Sequence, residues 1–100
     1  MRLNHEGLLQ IVYDSLDELS EMSDGKYSFE KYEEEAIFGK AGKLDSLDLV
    51  NLLVIIEERL ENIYGISITI ANERAISERH SPFANVIRLV EFISREVNIV

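Results

Sequence analysis

Residues 45–62, with the sequence DSLDLVNLLVIIEERLEN, decide the fold of this chain of 100 residues. An acidic residue and a serine precede a long run of helix-forming residues, and Gly65 follows shortly after it. The pattern predicts a helix that begins at Asp45 or Ser46 and runs to about Asn62. Its apolar residues cover more than one stripe, so the helix must be buried on several sides or offer apolar surface to a partner. They are Leu47, Leu49, Val50, Leu52, Leu53, Val54, Ile55, Ile56 and Leu60.

Three further helices are predicted around this one. Apolar residues at three- and four-residue steps predict a first helix over residues 4–22, which Ser23-Asp24-Gly25 ends. Asn72 predicts the cap of a short helix over residues 72–78. Ser81 and Pro82 predict the N-cap and the first turn of the last helix. Together these elements predict an all-α fold, a four-helix bundle with three long helices and one short one.

The segments between the helices are predicted to be irregular. A long loop joins the first two long helices, with one short helical turn within residues 28–36, and we expect its aromatic residues to cap one end of the bundle. Beyond Gly65, Ile66, Ile68 and Ile70 alternate with polar residues, which is typical of an extended segment that turns its isoleucines inward. This segment is too short to indicate a sheet.

Length and composition bound the remaining possibilities. The chain fits one domain over residues 1–100, and 46% hydrophobic residues allow a modest core. There is no cysteine, so any thiol chemistry must come from an attached group. Neither a signal peptide nor a membrane span of about 20 apolar residues is present in the sequence. We therefore expect a cytoplasmic protein without stable membrane insertion.

The charge balance points to basic partners. Acidic residues outnumber basic ones 19 to 10, which gives a net charge of −9. Proteins that bind nucleic acid need basic patches, so this balance argues against nucleic acid as a partner. It favours basic protein surfaces that are reached by electrostatic steering, although it could equally serve only to keep a small protein soluble.

Ser46 is the candidate site residue. A hydroxyl in the first turn of a helix lies beside unpaired backbone N–H groups and the positive end of the helix dipole, where a phosphate is favourably held. The alternative is purely structural: Asp45 or Ser46 is an N-cap, and Asp48 completes a capping pattern. The tripeptide Asp45-Ser46-Leu47 by itself is a weak signal and favours the structural interpretation.

The wider pattern resembles the acyl carrier protein family along nearly the whole chain. In that family an Asp-Ser-Leu at the start of the second helix bears 4′-phosphopantetheine on the serine. The long first loop and the acidic balance are also family features. The matching segments are Asp45-Ser46-Leu47-Asp48, Ile56-Glu57-Glu58, Gly65-Ile66-Ser67-Ile68, Ser81-Pro82-Phe83, and Val86 with Leu89 and Phe92-Ile93.

The resemblance implies a function without catalysis. A phosphopantetheinyl transferase would attach 4′-phosphopantetheine from coenzyme A to Ser46. The carrier would then hold acyl groups as thioesters and deliver them to enzymes of fatty-acid, lipid or specialised-metabolite synthesis. It would be no enzyme, bind no metal of its own and act as a monomer. Leu49, Leu53, Ile68 and Ile70 would either line a gap that shelters the acyl chain or form a plain packed core.

The resemblance also implies partner-recognition residues. Asp45 would help to dock the transferase and its divalent metal, and Leu47 would be the exposed leucine that partners recognise. Asp48, Glu57 and Glu58 would form an acidic face toward basic partner surfaces. Leu47 could instead belong to the core, and the two glutamates could be an ordinary solvated surface.

Four departures from the family pattern point to a specialised, stand-alone carrier rather than one for primary fatty-acid synthesis. Lys43-Leu44 replaces the usual small residues before the motif. Asn51 and Arg59 stand where the family often has acidic residues. Ile55 and Ile56 make the second helix more apolar than usual.

Functions of other classes remain open at this point. The cargo could be aminoacyl or peptidyl instead of acyl. The chain could be an unmodified acidic adaptor that only binds partner proteins. An enzyme is disfavoured because His5 and His80 are the only histidines, and neither lies in a motif with a nucleophile or with metal-ligand spacing.

Overall fold

The computed structural model describes residues 3–38, 42–70 and 83–97. They form three helices: α1 (His5–Met22), α2 (Ser46–Tyr64) and α3 (Val86–Glu96). No strand occurs within these ranges, so the described part of the chain is all-α, as the sequence predicts. The short helix predicted over residues 72–78 lies outside the described residues, so the described part shows the three long helices and the four-helix bundle stays a prediction.

α1 is the central helix and packs against both α2 and α3. It begins after Asn4, whose side chain accepts a hydrogen bond from the Gly7 amide at 2.8 Å. It ends at Met22 with Ser23 as its C-cap, and Asp24 and Gly25 then turn the chain in the left-handed region, with φ of 56° and 77°. The predicted apolar stripe, made of Leu8, Leu9, Val12, Leu16 and Leu19, faces the core, although Leu9 is only partly buried. The buried residues of the helix are Leu8, Ile11, Val12, Ser15, Leu16 and Leu19.

α2 begins where the sequence predicts and runs two residues further, to Tyr64. Gly65 ends it with a φ of 69°, a left-handed conformation that costs glycine little. The wide apolar surface of α2 is largely core, although Leu47 and Val54 face solvent. Its buried residues are Leu49, Leu52, Leu53, Ile55, Ile56 and Leu60.

The predicted start of the last helix is wrong. Ser81 and Pro82 lie outside the described residues, but α3 begins only at Val86, with Asn85 as its N-cap. The Asn85 side chain accepts from the Arg88 amide at 2.9 Å. The helix starts here because the long loop lies against its first turn and supplies carbonyl acceptors. The Val86 amide donates to Glu35 O at 3.1 Å, and the Ile87 amide donates to Glu33 O at 2.9 Å.

The described part of the long loop contains no helix, and isolated backbone bridges position it. The predicted helical turn is present only as a single hydrogen-bonded turn, from the Glu35 amide to Tyr32 O at 3.2 Å. Residue pairs Ala36–Asn85 and Phe38–Leu44 form isolated bridges, antiparallel and parallel respectively. The loop therefore touches both the start of α3 and the approach to α2.

The aromatic residues of the loop cap the core as expected, with one exception. Tyr27 is buried, and Phe29 and Phe38 are partly buried against the core, whereas Tyr32 is 45% exposed. After α2, Ile66 and Ile68 pack partly buried against the same core, and Ile70 is fully buried. Among the described helices, none is long and apolar enough to cross a membrane.

Candidate functional site

Ser46 is exposed at the first helical position of α2, and its hydroxyl takes no part in capping. Asp45 is the N-cap, with extended backbone (φ −87°, ψ 178°), and its carboxylate accepts from the Asp48 amide at 2.8 Å. The amides of Ser46 and Leu47 have no acceptor among the described residues. A free hydroxyl therefore lies beside two unpaired N–H donors at the positive end of a helix of 19 residues.

Asp48 connects this helix start to the long loop. Its carboxylate accepts a hydrogen bond from the Tyr27 hydroxyl. This donation, together with burial, raises the pKa of Tyr27 above its usual 10.0. The Lys26 ammonium lies 5.1 Å from the centre of the Tyr27 ring. A hydrogen bond to Tyr27, with help from the charges of Asp48 and Asp45, raises the pKa of Lys26. Asp48 is thus a structural link as well as a surface charge.

The segment that precedes Ser46 is held residue by residue. Leu44 is buried, and its amide donates to Ile37 O at 3.0 Å. The Lys43 ammonium donates to Ser28 O and lies 3.5 Å from the Glu35 carboxylate. Small residues in these two positions could make neither the apolar contact of Leu44 nor the polar contacts of Lys43.

One face of α2 is open to solvent. Leu47 is 72% exposed and Val54 is 39% exposed, so Leu47 is a surface leucine and not part of the core. Steps of three and four residues place Leu47, Asn51, Val54, Glu58 and Glu61 on one stripe, all of them exposed. We call these five residues the α2 stripe. It is apolar or neutral near Ser46 and acidic toward the C-terminal end.

The two glutamates assigned to partner recognition have different surroundings. Glu58 is exposed on the α2 stripe. Glu57 is partly buried, and its carboxylate accepts from the Ile70 amide at 2.6 Å, which fixes the extended segment after α2. A substitution of Glu57 would therefore alter the fold as well as the surface charge.

Arg59 turns away from the α2 stripe, toward α1. Its guanidinium pairs with Glu18 at 2.8 Å, at one edge of an open hollow of about 230 Å³ that Asp14, Asp17 and Glu21 also line. Since this cation is already paired with α1, it does not offset the exposed negative charge of Glu58 and Glu61.

The residues considered for an acyl shelter all belong to one core. Leu49, Leu53 and Ile70 are buried together, and Ile68 packs partly buried against them. Their positions suit either interpretation of the sequence, the lining of an acyl gap or a packed core.

In the part of the chain that the structure describes, no group of three or more His, Asp or Glu side chains could hold a metal ion. His5 is exposed at the start of α1, and His80 lies outside the described residues.

Sequence reasoning missed the long-range polar contacts around the site. The Tyr27–Asp48 and Lys43–Glu35 contacts join residues 21 and 8 positions apart, and neither has a helical or strand period that would reveal it. Glu61 could have been found, because it continues the three- and four-residue steps from Leu47. The exposure of Val54 could not, since the surrounding run is apolar throughout.

No protein-family model, no curated protein and no solved structure matches this chain. The resemblance to acyl carrier proteins therefore rests on the residues quoted in the sequence analysis alone.

Proposed function

We propose that this protein is an acyl carrier whose Ser46 hydroxyl bears 4′-phosphopantetheine. The observation that carries the proposal is the start of α2. There the hydroxyl is exposed and unused by the cap, and the amides of Ser46 and Leu47 have no acceptor in the described parts of the chain. Asp45 does the capping alone, so a bond to the Ser46 oxygen leaves the helix start intact.

The residues present suit a phosphodiester. Its negative charge is favoured at a helix N-terminus, where backbone N–H groups point outward and the dipole is positive. The exposure of Ser46 leaves an attached arm free to extend into solvent. When bound, the group supplies a terminal thiol that holds acyl chains as thioesters. The chain itself has no cysteine to supply one.

The α2 stripe suits transient docking of partner enzymes. Leu47 and Val54 offer apolar contact near Ser46, and Glu58 and Glu61 offer negative charge further along the helix. Charge of this kind raises encounter rates more than it raises affinity, which fits a carrier that must leave each enzyme after delivery. The partners would be a phosphopantetheinyl transferase and acyl-loading or acyl-using enzymes with basic docking surfaces.

The same proposal also covers the fourth helix and the shelter for the acyl chain. The short helix predicted over residues 72–78 would complete a four-helix bundle with α1, α2 and α3. The core formed by Leu49, Leu53 and Ile70 would then open to shelter the acyl chain.

The decisive experiment uses intact-mass measurement. The purified protein is incubated with coenzyme A and a broad-specificity phosphopantetheinyl transferase and is then weighed. We expect a mass gain of one phosphopantetheine, which is lost in Ser46→Ala. The matched control is Ser67→Ala, because Ser67 is also exposed but lies outside any helix, and this variant should gain mass like the wild type.

The other outcomes point to the alternatives. If several transferases add no mass, the proposal fails and the unmodified acidic adaptor is favoured. If the protein isolated from its own host carries an aminoacyl or peptidyl mass on the arm, the carrier function stands and the acyl cargo does not.

A further inference from the structure

Glu35 is the one charged side chain that is buried among the described residues, with 5% of its surface exposed. Its carboxylate accepts from the Glu30 amide and lies 3.5 Å from the Lys43 ammonium. That ammonium also donates to Ser28 O and lies 5.3 Å from the centre of the Phe29 ring. A buried carboxylate needs such partners, since removing an unpaired charge from water is strongly unfavourable.

The backbone of Glu35 is fixed independently of its side chain. Its amide donates to Tyr32 O at 3.2 Å, and its carbonyl accepts from the Val86 amide at the start of α3. The next residue, Ala36, forms a bridge with Asn85. Because its backbone is fixed, the Glu35 carboxylate can anchor a side chain from another segment of the chain.

Lys43 is that side chain, and it lies three residues before Ser46. Residues 43–45, which lead directly into the serine, each have their own anchor. Lys43 contacts Glu35, the Leu44 amide donates to Ile37 O at 3.0 Å, and Asp45 caps the helix through the Asp48 amide. These contacts fix the path by which the chain enters α2.

We propose that Lys43, acting through Glu35, is a positioning residue for the modification of Ser46. The inference rests on the proposed function, because it concerns how the serine is presented to the transferase. Lys43 does not touch the hydroxyl. It holds residues 43–45 so that the Asp45 cap and the Ser46 oxygen have one orientation. Displacement of a reacting atom by about 1 Å can cost on the order of 10²-fold in rate, so a partial loss of this anchor should be visible in kinetics.

The test compares Lys43→Met with wild type in transferase assays that separate kcat from KM. Met keeps most of the apolar stem and removes the ammonium group. We expect kcat for modification to fall about tenfold, which is within the range for a small misplacement. KM should stay nearly constant because the α2 stripe is untouched. Lys43→Arg, which keeps the charge and the donors, should restore most of the rate.

Lys31→Met is the matched control. Lys31 is in the same loop and pairs with Asp17 at 2.7 Å. Both side chains are about half exposed, and neither residue belongs to the segment that leads into Ser46. This variant should be modified at the wild-type rate. The proposal is overturned if Lys43→Met keeps the wild-type kcat, or if Lys31→Met is equally impaired.

Two further measurements cover the remaining outcomes. If Lys43→Met does not fold by circular dichroism, the double variant Lys43→Met/Glu35→Gln removes both charges. A folded double variant with low kcat supports the proposal, and one with the wild-type kcat overturns it. Hydrogen exchange of the Asp48 amide, which is bonded to Asp45, reports the cap directly. It should be faster in Lys43→Met even if no transferase modifies the wild type, so failure of the carrier function remains distinguishable.

Discussion

α2 and α3 begin with the same cap chemistry and yet have different first turns. Each has an Asp or Asn in extended conformation whose side chain accepts from the amide three residues on, at 2.8 Å for Asp45 and 2.9 Å for Asn85. In α3 the next two amides donate to carbonyls of the long loop. In α2 the amides of Ser46 and Leu47 have no acceptor among the described residues.

The difference is whether the long loop covers the helix start. The long loop lies across the start of α3 and closes it, with buried Val86 at the first position. The same loop only approaches α2 from the side, through Tyr27 and Lys43, and leaves Ser46 open. An open helix start with a hydroxyl at its first position can hold a phosphodiester, whereas a closed one cannot. The amides of His5 and Glu6 at the start of α1 also have no acceptor among the described residues, but His5 stands at the first position of that helix and provides no hydroxyl.

Gly42→Ala should have the largest effect, because it displaces the long loop from both helix starts. Gly42 lies so close to Ile37 and Phe38 that an added methyl group would overlap their backbone. The loop would have to move away from both helix starts, and we expect a loss of about 3 kcal/mol or more in unfolding free energy, measured by urea denaturation. Gly25→Ala is the control, since a methyl group added at Gly25 would meet no described atom within 4 Å apart from the adjacent residues, and only its φ of 77° would be strained. Its cost should be about 1 to 2 kcal/mol. Equal losses in the two variants would contradict the close approach.

Tyr27→Phe should weaken the link between the loop and α2 without moving the loop from α3. It removes the hydroxyl that donates to Asp48 and should cost about 1.5 kcal/mol, as for a bond to a charged group. Tyr32→Phe is the control, because Tyr32 is 45% exposed and its hydroxyl has no partner among the described residues. It should change stability by no more than about 0.5 kcal/mol.

The stabilising effect of Tyr27 should also depend on pH. Its pKa is raised in the folded protein, so its contribution is complete below the unfolded value near 10.0 and is lost as pH rises through the folded value. Lys26 has its pKa raised as well, so its contribution falls in the same direction above its unfolded value near 10.5. The stability difference between wild type and Tyr27→Phe should therefore be constant near neutral pH and shrink above pH 10. A constant difference across that range would argue against the Tyr27–Asp48 bond.

The two caps can be compared directly. Asp45→Ala and Asn85→Ala should each cost about 1 kcal/mol in unfolding free energy, because each removes one N-cap. Only the Asp45 variants should reduce modification of Ser46 by the transferase. Asp45→Asn keeps a capping side chain and removes the charge, so a slower modification of that variant would assign a role to the charge itself. If Asp45→Asn is modified as fast as wild type, the acidic role of this residue is refuted.

The sequence predicts the start of α2 correctly but not the start of α3, and the reason is physical. Asp45 and Ser46 stand directly before a strong helical pattern, so local capping rules are enough to find the start of α2. At α3, the Ser81-Pro82 signal is as strong locally, but the helix begins at Val86 because carbonyls of Glu33 and Glu35, some 50 residues away, accept from its first amides. Local rules cannot anticipate acceptors that only tertiary packing supplies.

In the candidate site, too, some features follow from local sequence patterns and others depend on tertiary contacts. Position and exposure follow from helical spacing for Ser46 and Glu58, and both could be predicted. The bond from Ile70 to Glu57, the pairing of Arg59 with Glu18 and the contact of Lys43 with Glu35 depend on which segments meet in space. Each of these concerns a charged residue that a sequence pattern assigns by default to the solvated surface.

The exposed acidic end of the α2 stripe should give the smallest effect on stability. Glu58→Lys/Glu61→Lys changes two exposed side chains, so unfolding free energy should shift by no more than about 0.5 kcal/mol per residue. Modification of Ser46 should nevertheless slow several-fold at low salt, because steering toward a basic transferase surface is lost. The difference should fade at about 1 M salt, where the Debye length is only about 3 Å. The charge-matched control is Glu91→Lys/Glu96→Lys on α3, where both residues are exposed. If this control slows modification equally, net charge and not the α2 stripe is what the transferase senses, and the open face of α2 loses its role in docking.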